Sequence, residues 1–492
     1  MLFNSYEFIL FFLPLTVIGY WLINRYASIK YAHLFMVIMS IWFYLYADVR
    51  QLPGILISIF INYGIYKYLF GCKIVSKRKM LLTLGIVFNV GSLFYYKYAG
   101  LLFDNLNSLF STEFKIEKII IPLGISYIVF QQIAFLVDTY REEVEEHGFV
   151  EYLLFFLYFP KEISGPILLH TDFFPQIKNI NNQKINYDNI AKGMYIFALG
   201  LGKKVLLADV FGKAVNYAFG LPLEQYETDL YALDILIVIF CYTLQLYFDF
   251  SGYCDMAIGV SKMFNIDLPL NFDSPYKALN IIDFWKRWHI TLTRFLTKYV
   301  FIPLGGSRKG TLRTYVNIII VFLISGIWHG AGWTFIVWGI MHGMFQVITK
   351  VYKKFFEKMH PALSWMITFG FVNVAWLFFR AESLKSVFGM LHQLIRLNFT
   401  SISNGILEAF NLPELVFVMN DLVGIDILAR YPYFFLLIYL LIGLIGVLGC
   451  SNSYEKMQNF KPSWKNTIVF SIIMIWSIFS FSGISTFLYW EF

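Results

Sequence analysis

Residues 314–348 read TYVNIIIVFLISGIWHGAGWTFIVWGIMHGMFQVI, two apolar runs at 314–328 and 331–348 joined by small residues, without one Asp, Glu, Lys or Arg. A helix that crosses a bilayer needs about 20 mostly apolar residues, whereas a barrel strand needs only about 10, with apolar and polar residues alternating. Neither run alternates. The stretch therefore reads as a helical hairpin set in a membrane, with His329 at its turn.

The same pattern recurs outward from this hairpin. Apolar stretches at 6–24, 31–47, 52–70, 80–96, 119–137, 190–207, 231–249, 363–380, 433–449 and 466–481 bring the total to about 11–12 transmembrane helices. The composition agrees: of 492 residues 58% are hydrophobic and only 14% charged, with a mean hydropathy of +0.62. Soluble proteins carry roughly 25% charged residues, so this chain cannot cover a water-facing surface. Soluble, disordered and fibrous classes are excluded. The expected class is an all-α polytopic membrane protein. Residues 1–492 form a single domain, for there is no linker, low-complexity tract or repeat. Segments 149–175, 254–303 and 382–430 are too charged or too broken to cross, and read as re-entrant or interfacial helices.

The few charges orient the chain. Arg25 and Lys30, then Lys67, Lys73, Lys77, Arg78 and Lys79, fall in the first and third loops and mark the cytoplasmic side. Arg308, Lys309 and Arg313, the group 350–358, and Lys456, Lys461 and Lys465 fall on the same side. Both termini should then face outward. The first apolar run lacks a basic flank and a cleavage site, and is expected to be a retained span. Lys203 and Lys204, inside the sixth run, argue against that crossing. The net charge of +7 is accounted for by cytoplasmic loops and their attraction to anionic lipid, with no nucleic acid as partner. Cys72, Cys241, Cys254 and Cys450 lie far apart, which supports neither a disulfide framework nor a zinc site.

Ionisable groups inside apolar sequence are costly, so each is a functional candidate. Ser325-Gly-Ile-Trp-His-Gly-Ala-Gly-Trp333 places His329 among glycines that permit close approach of a substrate or a backbone, and histidine is the usual base near neutral pH. The alternative is a hairpin histidine bonded to backbone. His342, further along the next span, reads more readily as a packing residue, and two histidines alone make a poor metal site; none is expected. The second cluster is Asp283-Phe-Trp-Lys-Arg-Trp-His289 with Arg294 and Lys298. As one helix it would carry Lys286, His289 and Arg294 on roughly one side, with Trp285 and Trp288 as interfacial anchors. It reads either as an interfacial amphipathic helix or as a cationic rim that attracts a phosphate-bearing donor through Lys286, Arg287 and Arg294, with His289 near the entrance. Asp249 and Asp255, in and after Tyr247-Phe-Asp-Phe-Ser-Gly-Tyr253, would partner that cluster. No phosphate loop, HExxH, GxSxG or GxGxxG occurs in a suitable context.

Taken together these motifs resemble the membrane-bound O-acyltransferases, in the bacterial branch that modifies alginate, peptidoglycan or teichoic acid. The resemblance runs almost end to end. It is carried by Met1-Leu-Phe-Asn-Ser-Tyr-Glu-Phe-Ile9, Pro122-Leu-Gly-Ile-Ser126, Val137-Asp-Thr-Tyr-Arg141 and Gly165-Pro166. Tyr247-Phe-Asp-Phe-Ser-Gly252, Phe284-Trp-Lys-Arg-Trp-His289, Ile302-Pro-Leu-Gly-Gly306 and Ser325-Gly-Ile-Trp-His-Gly330 follow in order. The resemblance implies helices around a central pore, a thioester donor (acetyl-CoA) arriving from the cytoplasm, no bound cofactor, and an extracytoplasmic SGNH-type transferase that completes O-acetylation of a surface polysaccharide. It makes His329 the central histidine and His289 the second, one toward each mouth of a tunnel. It also makes Tyr489, in Phe487-Leu-Tyr-Trp-Glu-Phe492, a candidate acyl carrier on the outer side, although Trp490 and Glu491 depart from the commoner Phe-Gln. Multi-pass residence in a bacterial cytoplasmic membrane follows. D-alanyl transfer from a carrier protein, or transport without acyl chemistry, stands as the alternative.

Overall fold

The computed structural model describes residues 1–112, 119–481 and 487–488. Among these the secondary structure is helical, and the one isolated antiparallel bridge joins Phe272 to Trp288. The helices that matter below are α1 (Glu7–Tyr26), α2 (Ile29–Leu45), α3 (Val49–Gly71), α4 (Val75–Tyr98), α5 (Ile125–Tyr140), α6 (Phe149–Leu157) and α7 (His170–Lys178). Next comes α8, one continuous helix made of Tyr187–Gly202, a π-helical Lys203–Ala208 and Asp209–Gly220. Then follow α9 (Ala232–Lys262), α10 (Ile281–Arg287), α11 (Ile290–Leu296), α12 (Thr311–His329), α13 (Trp333–Val351), α14 (Pro361–Arg380), α15 (Phe434–Leu448) and α16 (Trp464–Phe479).

Seven of these, α1, α3, α4, α9, α12, α13 and α14, are long and apolar enough to cross a membrane, and α2, α15 and α16 are shorter apolar helices. Large apolar side chains such as Leu10, Phe11, Ile18, Phe60 and Ile472 are exposed, as side chains that face lipid are. The chain is an all-α, multi-pass membrane protein. Burial sorts the helices: 83% of the most apolar window of α9 lies inside the protein, against 11% for α4. Helix α9 is the central post; α4 faces outward.

Glycines bring α8 against that post. A Cβ on Gly200 would lie 2.5 Å from the carbonyl oxygen of Gly252, and one on Gly193 would lie 2.4 Å from that of Gly259. In each helix the two glycines are seven residues apart, two turns along one face, so the antiparallel backbones touch twice. The close approach delivers two lysines to two carboxylates. Lys203 Nζ lies 2.6 Å from Asp255 and Lys204 Nζ lies 2.6 Å from Asp249, with Asp209 2.9 Å from the same ammonium. The lysines that argued against this crossing are thus neutralised by α9, and the helix runs on to Gly220. Asp249 and Asp255 consequently serve α8, not the 283–298 cluster as expected from sequence order.

The three broken segments differ. Residues 154–170 are buried throughout, in the rest of α6, a short turn at Phe159–Lys161 and the start of α7, and the Lys161 ammonium there donates to Gln131 Oε1 at 2.6 Å. Segment 382–430 forms short helices such as Leu384–Ile395 and Asn404–Glu408. Segment 254–303 holds the inner end of α9, then α10 and α11, and is no surface helix: Trp285 and Trp288 are only 5% and 1% exposed.

Candidate active site

The site grows from the break between α10 and α11. Asn280 caps α10 by accepting the Asp283 N–H at 2.9 Å, and the helix stops at Arg287, after which Trp288 pairs with Phe272. His289 follows with φ +45° and ψ 52°, a left-handed conformation that costs a residue with a Cβ on the order of 1 kcal/mol or more. Such strain persists only where neighbours enforce it. Here Asn271 does so: its side-chain oxygen accepts from the Thr291 N–H (3.2 Å) and hydroxyl (2.9 Å), and its carbonyl accepts from the Ile290 N–H at 3.0 Å. The same amide oxygen lies 3.2 Å from His289 Nδ1. An oxygen already accepting two hydrogen bonds can only accept a third, so Nδ1 carries the proton and Nε2 is the basic nitrogen.

His329 comes from the other direction, as the last residue of α12. Its ring lies among those of Trp328, Trp338 and Phe379, with centroids at 4.8, 5.2 and 5.1 Å, and the residue is 3% exposed. The glycines beside it serve the hairpin: a Cβ on Gly326 would meet the Phe335 carbonyl oxygen at 2.4 Å, so α12 and α13 touch through their backbones. Lys97, at the end of α4, caps α12 by donating to the carbonyls of Trp328 (2.5 Å) and His329 (2.9 Å). A cation at a helix C-terminus is where the helix dipole favours one. The cap fixes the backbone that carries the histidine.

The two histidine rings face one another with centroids 6.4 Å apart. The α10–α11 break carries His289 inward to His329, so the two histidines expected one toward each mouth of a tunnel stand side by side. His342 stands behind Trp338, 4.9 Å away centroid to centroid, and accepts the Trp285 indole N–H at 3.1 Å, in keeping with a packing role.

The expected donor residues separate. Arg287 is held by Asp283 at 3.0 Å, and Arg294 by Asp172 at 2.5 Å. Lys286 alone of the three lines a cavity of about 830 Å³, together with Lys350, Lys353, Thr311 and Thr349. Lys350 also lines a second, mainly apolar cavity of about 190 Å³, whose walls include Leu292 and Thr293, a turn past His289, and Ser325, a turn before His329. The polar cavity and the smaller apolar one thus share Lys350 as a wall, and the apolar one is lined by residues a turn along the chain from each histidine. Sequence reading missed Lys350, Asn271 and Lys97; the first was counted as loop charge, and the other two act through folding partners far away in sequence. Tyr489 lies outside the described residues.

The chain matches the MBOAT, membrane-bound O-acyltransferase, family over residues 11–388. It is 39% identical over 525 residues to a peptidoglycan O-acetyltransferase of Helicobacter pylori, covering 100% of this chain and 98% of that one. It is 35% identical over 402 residues to a probable alginate O-acetylase of Azotobacter vinelandii, covering 79% of this chain and 77% of the other. A teichoic acid D-alanyltransferase of Streptococcus thermophilus is 30% identical over 236 residues, 46% of this chain and 56% of its own. The fold, the paired histidines and these likenesses agree: the chain belongs to the membrane-bound O-acyltransferase family and is an O-acyltransferase.

Proposed function

We propose that this enzyme takes an acetyl group from acetyl-CoA on the cytoplasmic face of a bacterial cytoplasmic membrane and passes it across for O-acetylation of a cell-surface polysaccharide, peptidoglycan before alginate. The observation that carries the reading is the meeting of His289 and His329, ring centroids 6.4 Å apart and both buried inside the helical bundle. The end-to-end likeness to a peptidoglycan O-acetyltransferase supports the polymer. An extracytoplasmic SGNH-type transferase is the partner that places the group on the glycan.

In the reaction a histidine nitrogen accepts the proton of the attacking hydroxyl as its oxygen bonds to the thioester carbonyl carbon. The tetrahedral intermediate collapses, the C–S bond breaks, and the thiolate takes the proton from the imidazolium. The first acceptor is Tyr489, whose phenolic oxygen would carry the acetyl group until a hydroxyl of the partner attacks it and frees the tyrosine. His329 is the base, with His289 as the second histidine of the site.

Purified enzyme given acetyl-CoA should release free thiol and carry an acetyl group on its C-terminal peptide, which Tyr489→Phe should remove. An inert acetyl-CoA alongside a reactive D-alanyl carrier protein would overturn the donor assignment. Lys286→Ala and Lys350→Ala should each raise the donor KM several-fold while kcat stays within about twofold, since a phosphate contact made equally in ground and transition states affects only binding. His289→Asn should keep the left-handed corner and the thermal stability, because asparagine tolerates that conformation, yet lose transfer. His289→Val should lose stability as well, by roughly 1–2 kcal/mol.

A further inference from the structure

Asp249 sits roughly three and a half turns from the nearer end of α9, where a carboxylate is costly unless every lone pair is used. One oxygen accepts from Lys204 Nζ at 2.6 Å. The other accepts the backbone N–H of Leu488 at 3.0 Å, nine residues past the end of α16. Phe487 beside it is 1% exposed, with its ring 4.7 Å from the Lys204 ammonium and edge-on to Tyr253 at 4.9 Å. Three independent contacts, a hydrogen bond to a charge, a cation over an aromatic face and an aromatic pair, therefore seat Phe487 in the core of the bundle and hold the half-buried Leu488 beside it.

We propose that the Lys204–Asp249 pair is a docking slot for the chain's own C-terminal segment, and that both are positioning residues which hold Phe487–Leu488 so that Tyr489 is presented for acyl transfer. The role in transfer rests on the reading of Tyr489 as carrier; the docking itself does not. Asp249 performs two tasks with its two oxygens, one on the helix pair and one on the tail. Lys204 keeps Asp209 as a second counter-charge, so the ammonium stays neutralised when Asp249 is changed.

The test places a single reporter thiol at Leu488→Cys in a background where Cys72 and Cys450 are serine. In membranes the thiol should react slowly with a water-soluble maleimide, and at least ten times faster once Asp249→Asn or Phe487→Ala is added. Phe487→Ala leaves the ion pair untouched, so it reports on docking even if Asp249→Asn folds poorly. Equal labelling rates with and without Phe487→Ala overturn the slot. Both variants should lower kcat for polymer acetylation 10- to 100-fold at unchanged donor KM, with Asp249→Glu recovering part of the loss; unchanged kcat overturns the positioning role. Full activity of Tyr489→Phe would instead sink the carrier reading and leave the labelling result to judge the slot alone.

Discussion

With His329 replaced by alanine, the protein inserts, accumulates at its usual level and transfers no measurable acetyl group. The fold should survive because what holds the end of α12 is backbone: Lys97 bonds the carbonyls of Trp328 and His329, which alanine retains, and Gly326 keeps its contact with α13. The ring is removed from a packed aromatic pocket, so a modest loss of thermal stability accompanies the change. The chemical loss is far larger. A placed base typically contributes ~10²–10⁴-fold, and His289 is held by Asn271 in an orientation of its own, so it cannot swing over to replace its neighbour. Thiol release from acetyl-CoA and acetate bound to polymer are the two measurements. If either stays within tenfold of wild type, His329 is not the base.

The second large effect is on stability. Lys203→Met should cost on the order of 3 kcal/mol, because it strands the Asp255 carboxylate inside the bundle, where the Ser453 hydroxyl, at 2.6 Å, is the hydrogen-bond donor left to it among the described residues. Lys203→Met combined with Asp255→Leu should return most of that loss, since replacing a buried pair by apolar groups of similar volume is often close to neutral. Thermal unfolding in detergent reads both. A double variant as unstable as the single one would locate the cost in packing instead of in the stranded charge. The experiment also judges α8, because a lysine pair without carboxylates would not sit stably between packed helices.

Much of the fold could be read from hydropathy alone, because a bilayer allows helices and little else. The helical hairpin at 314–348 and the all-α, multi-pass class follow from apolar length alone. Lys203 and Lys204 show where such reading stops. Their carboxylates are distant in sequence, on α9, and only the glycine spacing 193/200 against 252/259 hinted at the contact. The site divides in the same way. His329 stands out as a histidine in an apolar hairpin, but its closeness to His289 depends on a helix ending at Arg287, and Asn271 enforces that ending from a turn with no signature of its own. Arg287 and Arg294 looked like donor ligands until their acidic partners were placed: Asp283 one helical turn away in the same motif, and Asp172 brought in by the fold.

The π-helical turn at Lys203–Ala208 gives α8 two phases. Before it, glycines pair with α9 at Gly193 and Gly200; after it, Gly212 meets the Gln245 side chain, a pairing that an uninterrupted α-helix would rotate away. The extra residue works as a clutch plate between two halves that are each keyed to the same post. Deleting one residue there would restore an uninterrupted ladder with both halves still keyed to α9, whereas inserting a further one would turn the second half by about 100°, swinging buried Phe211 and Val215 away from their neighbours. The turn is thus fixed twice, by the two lysines that pair with α9 and by the single extra residue that sets the phase of the second half.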